Sequence, residues 1–128
     1  MDYIEQDELF FFAAHAAACP LYQTFVSELT AAYPDMKRKV QKTQITFSNR
    51  HVFACVSFLR VKKKTELPED YFVLTLGLPS PLESGRVAVK TEPYPGRWTT
   101  HFVISEPSDL DDELFGWVRQ AYEFANAK

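Results

Sequence analysis

A chain of 128 residues, 46% of them hydrophobic and 15% aromatic, has enough apolar area to offset ordering entropy, which excludes a disordered polypeptide. The length predicts a single domain spanning residues 1–128, since domains cluster near this size. The formal net charge of −3 argues against a domain built for nucleic acid, where phosphate neutralisation supplies most of the affinity.

In chain order, Asp2 to Ala18 reads as a first helix. Ile4, Leu9, Phe10, Phe12 and Ala13 would form its apolar face, and Asp2, Glu5, Asp7 and Glu8 would crowd its first turns, where the helix dipole favours acids. Pro20 ends it by Ala18 and opens a second helix, because the residue before a proline avoids the α region while proline suits a first turn. Leu21, Phe25, Val26, Leu29 and Ala32 recur at helical spacing until Pro34 and Asp35 stop the pattern.

The period then changes to two. Lys39–Ser48 reads as one strand with Ile45 and Phe47 facing inward, Asn49-Arg50 as a turn, and His51–Phe58 as the return strand. A basic loop, Arg60 with Lys62, Lys63 and Lys64, leads to a third strand, Tyr71–Leu78. Arg86–Glu92 is a fourth strand, Pro93-Tyr94-Pro95-Gly96 a turn, and Trp98–Ser105 a fifth. The last element is a helix over Asp109–Ala125 with Ser108 as N-cap and Asp111 completing a loose capping box; Leu110, Leu114, Trp117, Val118, Ala121, Tyr122 and Ala125 form its buried stripe. The expected architecture is α+β: two N-terminal helices, a five-stranded antiparallel meander, and a C-terminal helix packed on one sheet face.

Alternation leaves Lys42, Gln44, Thr46, Thr75, Lys90 and His101 on the opposite face of that sheet, either as a solvated surface or as a concave site. His101 is the most versatile of these, since an unperturbed imidazole titrates near neutrality. The stiff segment Glu92–Trp98 adds Tyr94, Arg97 and Trp98, and an arginine beside aromatics on a rigid loop suits an anion or a partner surface. The candidate ligand-binding set is therefore Lys42, Gln44, Lys90, Tyr94, Arg97, Trp98 and His101, with no catalytic residue assigned.

Other chemistries lack their motifs. The chain has 4 glycines and no phosphate-binding glycine loop, no G-x-S-x-G elbow, and no H-x-E…C-x-x-C deaminase pattern. Cys19 and Cys55 form no C-x-x-C pair and read as reduced thiols. No basic, apolar leader opens the chain, and no apolar run approaches a membrane span, so a cytoplasmic protein without membrane contact is expected. No cofactor is expected, nor sequence-specific nucleic-acid binding; the chain should be a monomer or a weak homodimer.

Lys42-Thr43-Gln44-Ile45-Thr46-Phe47, followed by Arg50 and Phe53-Ala54, resembles a bacterial family of uncharacterised domains with a lysine-threonine strand and a second strand carrying a Phe-Ala pair. Glu92–Trp98 (E-P-Y-P-G-R-W) and the closing Trp117–Lys128 segment resemble one subgroup of it. The layout is also distantly similar to the YdhG-like domains, discussed as frataxin-like iron chaperones. That similarity implies an acidic first helix as metal ligand, here Glu5, Asp7 and Glu8.

Three functions follow in order of preference. The first is a binding module that holds a small anionic ligand or a protein partner on the polar sheet face and the Tyr94–Trp98 loop. The second is a frataxin-like iron chaperone using the acidic helix. The third is a small enzyme with His101 and Lys42 as acid–base groups.

Overall fold

The structure is a computed structural model that describes residues 6–127; Asp2, Ile4 and Glu5 lie outside the described residues. Helix α1 spans Gln6–Phe11, and a 3-10 segment, Ala13–Ala18, joins it to α2, Cys19–Ala32. The strands are β1 (Lys37–Val40), β2 (Gln44–Ser48), β3 (Val52–Ser57), β4 (Phe72–Leu78), β5 (Val89–Tyr94) and β6 (Arg97–Ile104), and α3 covers Asp112–Ala127. The expected α+β class and antiparallel sheet are present, with two departures in the strands.

The first departure is a sixth strand. The Lys39–Ser48 pattern is not one strand but a hairpin: the chain turns at Gln41–Thr43, with the Gln41 N–H donating to the Gln44 carbonyl at 2.8 Å, and β1 pairs back on β2. The strand thus begins earlier, at Lys37, in a basic stretch whose charge suits an edge strand.

The second departure is topological. Strand order is β1-β2-β3-β4-β6-β5, so the meander breaks after β4. The segment after β4 runs past β6's place to the sheet edge, and β6 returns through the Pro95-Gly96 turn to lie beside β4. Gly96 sits at φ 84°, the left-handed conformation that a Pro-Gly turn demands and that side chains resist.

Register sorts the side chains. Ile45, Phe47, Ala54, Val56, Phe72, Leu74, Leu76, Phe102 and Ile104 face one side and are buried there under α2 and α3. From α2, Tyr22, Phe25, Val26 and Leu29 descend onto this layer, with Phe25 meeting Phe47 and Phe72 at ring distances of 5.9 and 6.0 Å. From α3, Leu114, Trp117, Val118, Ala121 and Ala125 do the same, and Trp117 stacks on Phe102 at 5.3 Å. The C-terminal helix therefore packs on one sheet face, as the stripe predicts.

Its cap differs from the expected Ser108. A short 3-10 turn, Pro107–Asp109, intervenes with its own Glu106–Asp109 capping box, and Asp111 caps α3 by accepting the Leu114 N–H at 3.0 Å. At the other end, Asn49 and His51 from the β2–β3 turn bond the carbonyls of Tyr122 and Ala125, at 2.9 and 3.2 Å, which satisfies two carbonyls in the last turns of the helix.

The N-terminal segment departs most from its expected helix. Its α-helical part ends at Phe11, and the chain kinks at His15. Leu9 and Phe10 are exposed, at 52% and 82%, whereas Phe12 and Glu8 are buried at 1% each. Glu8 is not a dipole-compensating surface acid. Its carboxylate accepts the Tyr22 hydroxyl and lies 3.5 Å from the Arg38 guanidinium, so a buried charge is paired and hydrogen-bonded as burial requires. Burial and the Glu8 hydrogen bond together raise the Tyr22 pKa. This anchor, with Phe12 packed on Tyr22 at 4.7 Å, decides which face of the short helix turns inward.

A candidate binding groove on the open sheet face

The sheet face away from α2 and α3 bears a second set of residues that share three rungs. Ser57 stands opposite Gln44 on one side and Val73 on the other; two residues along, Cys55, Thr75 and His101 lie side by side on β3, β4 and β6; two further, Gly77 faces Thr99. This follows from the strands' period of two, which sends alternate residues to the same side. Around them opens a groove of about 930 Å³, within the size range of small-molecule sites. Asp7, Phe10 and Phe11 of α1 wall one end together with Phe58, Leu59 and the Gln41–Thr43 turn.

Hydrogen bonding orders the middle rung. The Thr75 hydroxyl and His101 Nδ1 are 2.8 Å apart, and Cys55 stands beside Thr75 on the neighbouring strand. Burial lowers the His101 pKa below its ordinary value, which keeps the imidazole neutral near pH 7. Burial also pushes the Cys55 thiol up, although the Arg97 charge and the neighbouring Thr75 hydroxyl act the other way.

Arg97 enters from the first position of β6 and folds across β4. A Cβ at Gly77 would lie 2.8 Å from both terminal guanidinium nitrogens of Arg97 and 2.9 Å from its Cζ. The guanidinium thus occupies the space that any side chain at position 77 would take. Its charge bears on Cys55 one strand further on. Among the described residues, Arg97 joins none of the ion pairs, which are made by Arg38, Arg86, Lys90 and Arg119.

Of the candidate residues, Lys42, Gln44, Arg97 and His101 line this groove, and Lys90, Tyr94 and Trp98 do not. Alternation alone puts Lys90 on the same face as His101, but the β5–β6 register pairs Val89 with His101 and Lys90 with Thr100. One residue of register reverses the face of a whole strand. Lys90 instead bonds Glu83 at 2.9 Å and the Leu82 carbonyl at 3.0 Å. Trp98 pairs with Leu78 and, as the neighbour of Arg97, faces the helix side; Tyr94 stands exposed at the hairpin end. The rigid loop therefore does not present its three side chains together. Thr46 shares the groove face by register with Cys55 but is not part of the groove lining.

Cys55, Ser57, Thr99, Gly77 and the phenylalanines of α1 were missed as site residues. Alternation in β3 and β6 marks the first three, but nothing local marks Gly77, whose role depends on Arg97 reaching it from another strand. For metal, Glu5 lies outside the described residues, Asp7 lines the groove, and Glu8 is turned into the core. Among the described residues, no three His, Cys, Asp or Glu side chains stand together in reach of one ion. Nor does any helix among them have the length and apolarity to cross a membrane.

Fold and site together define a small α+β protein whose antiparallel sheet is covered by helices on one face and carries, on the other, a groove lined by both polar and aromatic side chains. The chain belongs to the DUF5655 family, a domain of unknown function, which it matches over residues 8–125. No curated protein and no solved structure matches it.

Proposed function

We propose that the protein is a non-enzymatic binding module that holds a small anionic ligand in the open-face groove. The observation that supports this reading above all is Arg97: a guanidinium seated over a glycine inside a groove, outside the ion pairs of the described residues. A planar fork of donors held in place loses little freedom on meeting a carboxylate or phosphate, which favours bidentate recognition. Thr75, Thr99, Gln44 and His101 supply the polar groups that would orient the ligand.

The other readings draw on less. A frataxin-like iron chaperone would rest on Glu5, Asp7 and Glu8, yet Glu8 is committed to Tyr22 and Arg38. An enzymatic reading keeps the same groove and uses neutral His101 as a base, with Lys42 at the far end.

Nuclear magnetic resonance titration with acetate and with inorganic phosphate tests the reading. The amides of Gly77, Thr99 and His101 should shift saturably, and the shifts should vanish in Arg97→Ala. Shifts unchanged in that variant, or none at the groove, overturn it.

A further inference from the structure

Along β4, the rungs at Gly77, Thr75 and Val73 are two residues apart, so the Arg97 end and the Phe58 end are separated by about 13 Å. The two ends differ in chemistry. At the first, a guanidinium is held against the floor with no side chain beneath it. At the second, Phe10, Phe11 and Phe58 form the wall, and the opposite charges of Asp7 and Lys42 stand at its rim. Between them the floor is a polar row, Cys55, Thr75 and His101, in which Thr75 and His101 share a hydrogen bond.

We propose that this groove selects an aryl amide carboxylate, of which an N-aroyl amino acid is the simplest form, a statement that rests on the anion-binding reading above. The carboxylate meets Arg97 in bidentate fashion. The amide lies above Thr75 and His101, whose hydroxyl and imidazole can donate and accept. The aryl ring lies against the phenylalanines and covers Phe10, which is 82% exposed in the free protein. A bare alkyl chain would displace water from the remaining donor and acceptor positions of Thr75 and His101 without replacing it, and polar groups deprived of partners penalise such a ligand. A simple inorganic anion would use the Arg97 end of the groove without reaching the phenylalanine wall.

The probe is N-benzoylglycine, which spans most of the groove once its carboxylate stands a hydrogen bond from Arg97. It is compared, by the same amide titration, with acetate, with 5-phenylvalerate (no amide) and with N-benzoylglycinamide (no charge). N-benzoylglycine should bind at least about tenfold more tightly than each of the three, the equivalent of one good contact. Phe10→Ala, at an exposed position, should weaken N-benzoylglycine while leaving acetate unchanged. Gly77→Ala should abolish both by displacing the guanidinium; if that variant fails to fold, Arg97→Gln replaces it. Equal binding of acetate and N-benzoylglycine, or no effect of Phe10→Ala, overturns this proposal and leaves the anion-binding reading standing. Equal binding of 5-phenylvalerate overturns the role of the middle row. No groove shift with any compound overturns both proposals.

Discussion

The two faces of the sheet are made by the same strands, yet they differ in every physical respect. On the helix side, Ile45, Phe47, Leu74, Leu76 and Phe102 are fully or nearly fully buried and packed against α2 and α3. On the groove side, Cys55, Thr75, Thr99 and His101 are half-buried and polar, and Thr75 and His101 are hydrogen-bonded across strands. A face that carries the burial energy leaves the other free to hold polar groups that contribute little to stability. That division is what allows a small domain to keep both a core and a site.

The comparison breaks most visibly at α3. Leu114 is fully buried in the helix-side core, so Leu114→Ala should cost about 2–5 kcal/mol through lost transfer energy and a residual cavity. Glu123→Ala, which removes only an exposed pair with Arg119, should cost less than about 0.5 kcal/mol. Urea melts of the two measure the contrast. If Thr75→Val on the groove face costs as much as Leu114→Ala, the two faces are not energetically distinct and the division fails.

A smaller effect is expected where the N-terminal segment meets the core. Tyr22→Phe removes the hydroxyl that donates to buried Glu8 and should destabilise by about 1–3 kcal/mol, the penalty for depriving a buried acceptor of its donor. The change should also loosen α1, and faster amide hydrogen exchange over Gln6–Phe11 than elsewhere would show it. Uniform exchange along the chain would mean that Glu8 does not hold this helix.

The smallest effect belongs to the groove side and is read through pH. His101 has a folded pKa below its unfolded value of about 6.5. The unfolded chain then binds the proton more tightly, so this stability is present in full above the unfolded pKa and is lost as pH falls through the folded one. Urea midpoints should therefore decline from about pH 7.5 to about pH 5, and less so in His101→Gln. An identical decline in the variant would assign the pH dependence to other groups.

Much of the helix side is legible in the sequence because its signals are local. The α2 and α3 stripes recur at helical spacing, Pro20 and the Pro95-Gly96 pair set boundaries through backbone constraint, and Ile45 and Phe47 declare an inward face by alternation. The groove side is legible only in part. His101, Gln44, Lys42 and Arg97 stand out by residue type and meet in one groove, whereas the face of Lys90 is decided by strand pairing alone, and the stiff turn that carries Tyr94, Arg97 and Trp98 does not fix which side each of them takes.

The sequence by itself thus determined the α+β class, the helix stripes and the inward residues of β2, β4 and β6, because these depend on periods of a few residues and on the fixed torsions of proline and glycine. Tertiary structure alone decided the β4–β6 pairing, the burial of Glu8 beneath Tyr22 and Arg38, and the seat of Arg97 on Gly77. Each of these joins residues well separated along the chain, and no local propensity specifies a contact whose partner is supplied by another element.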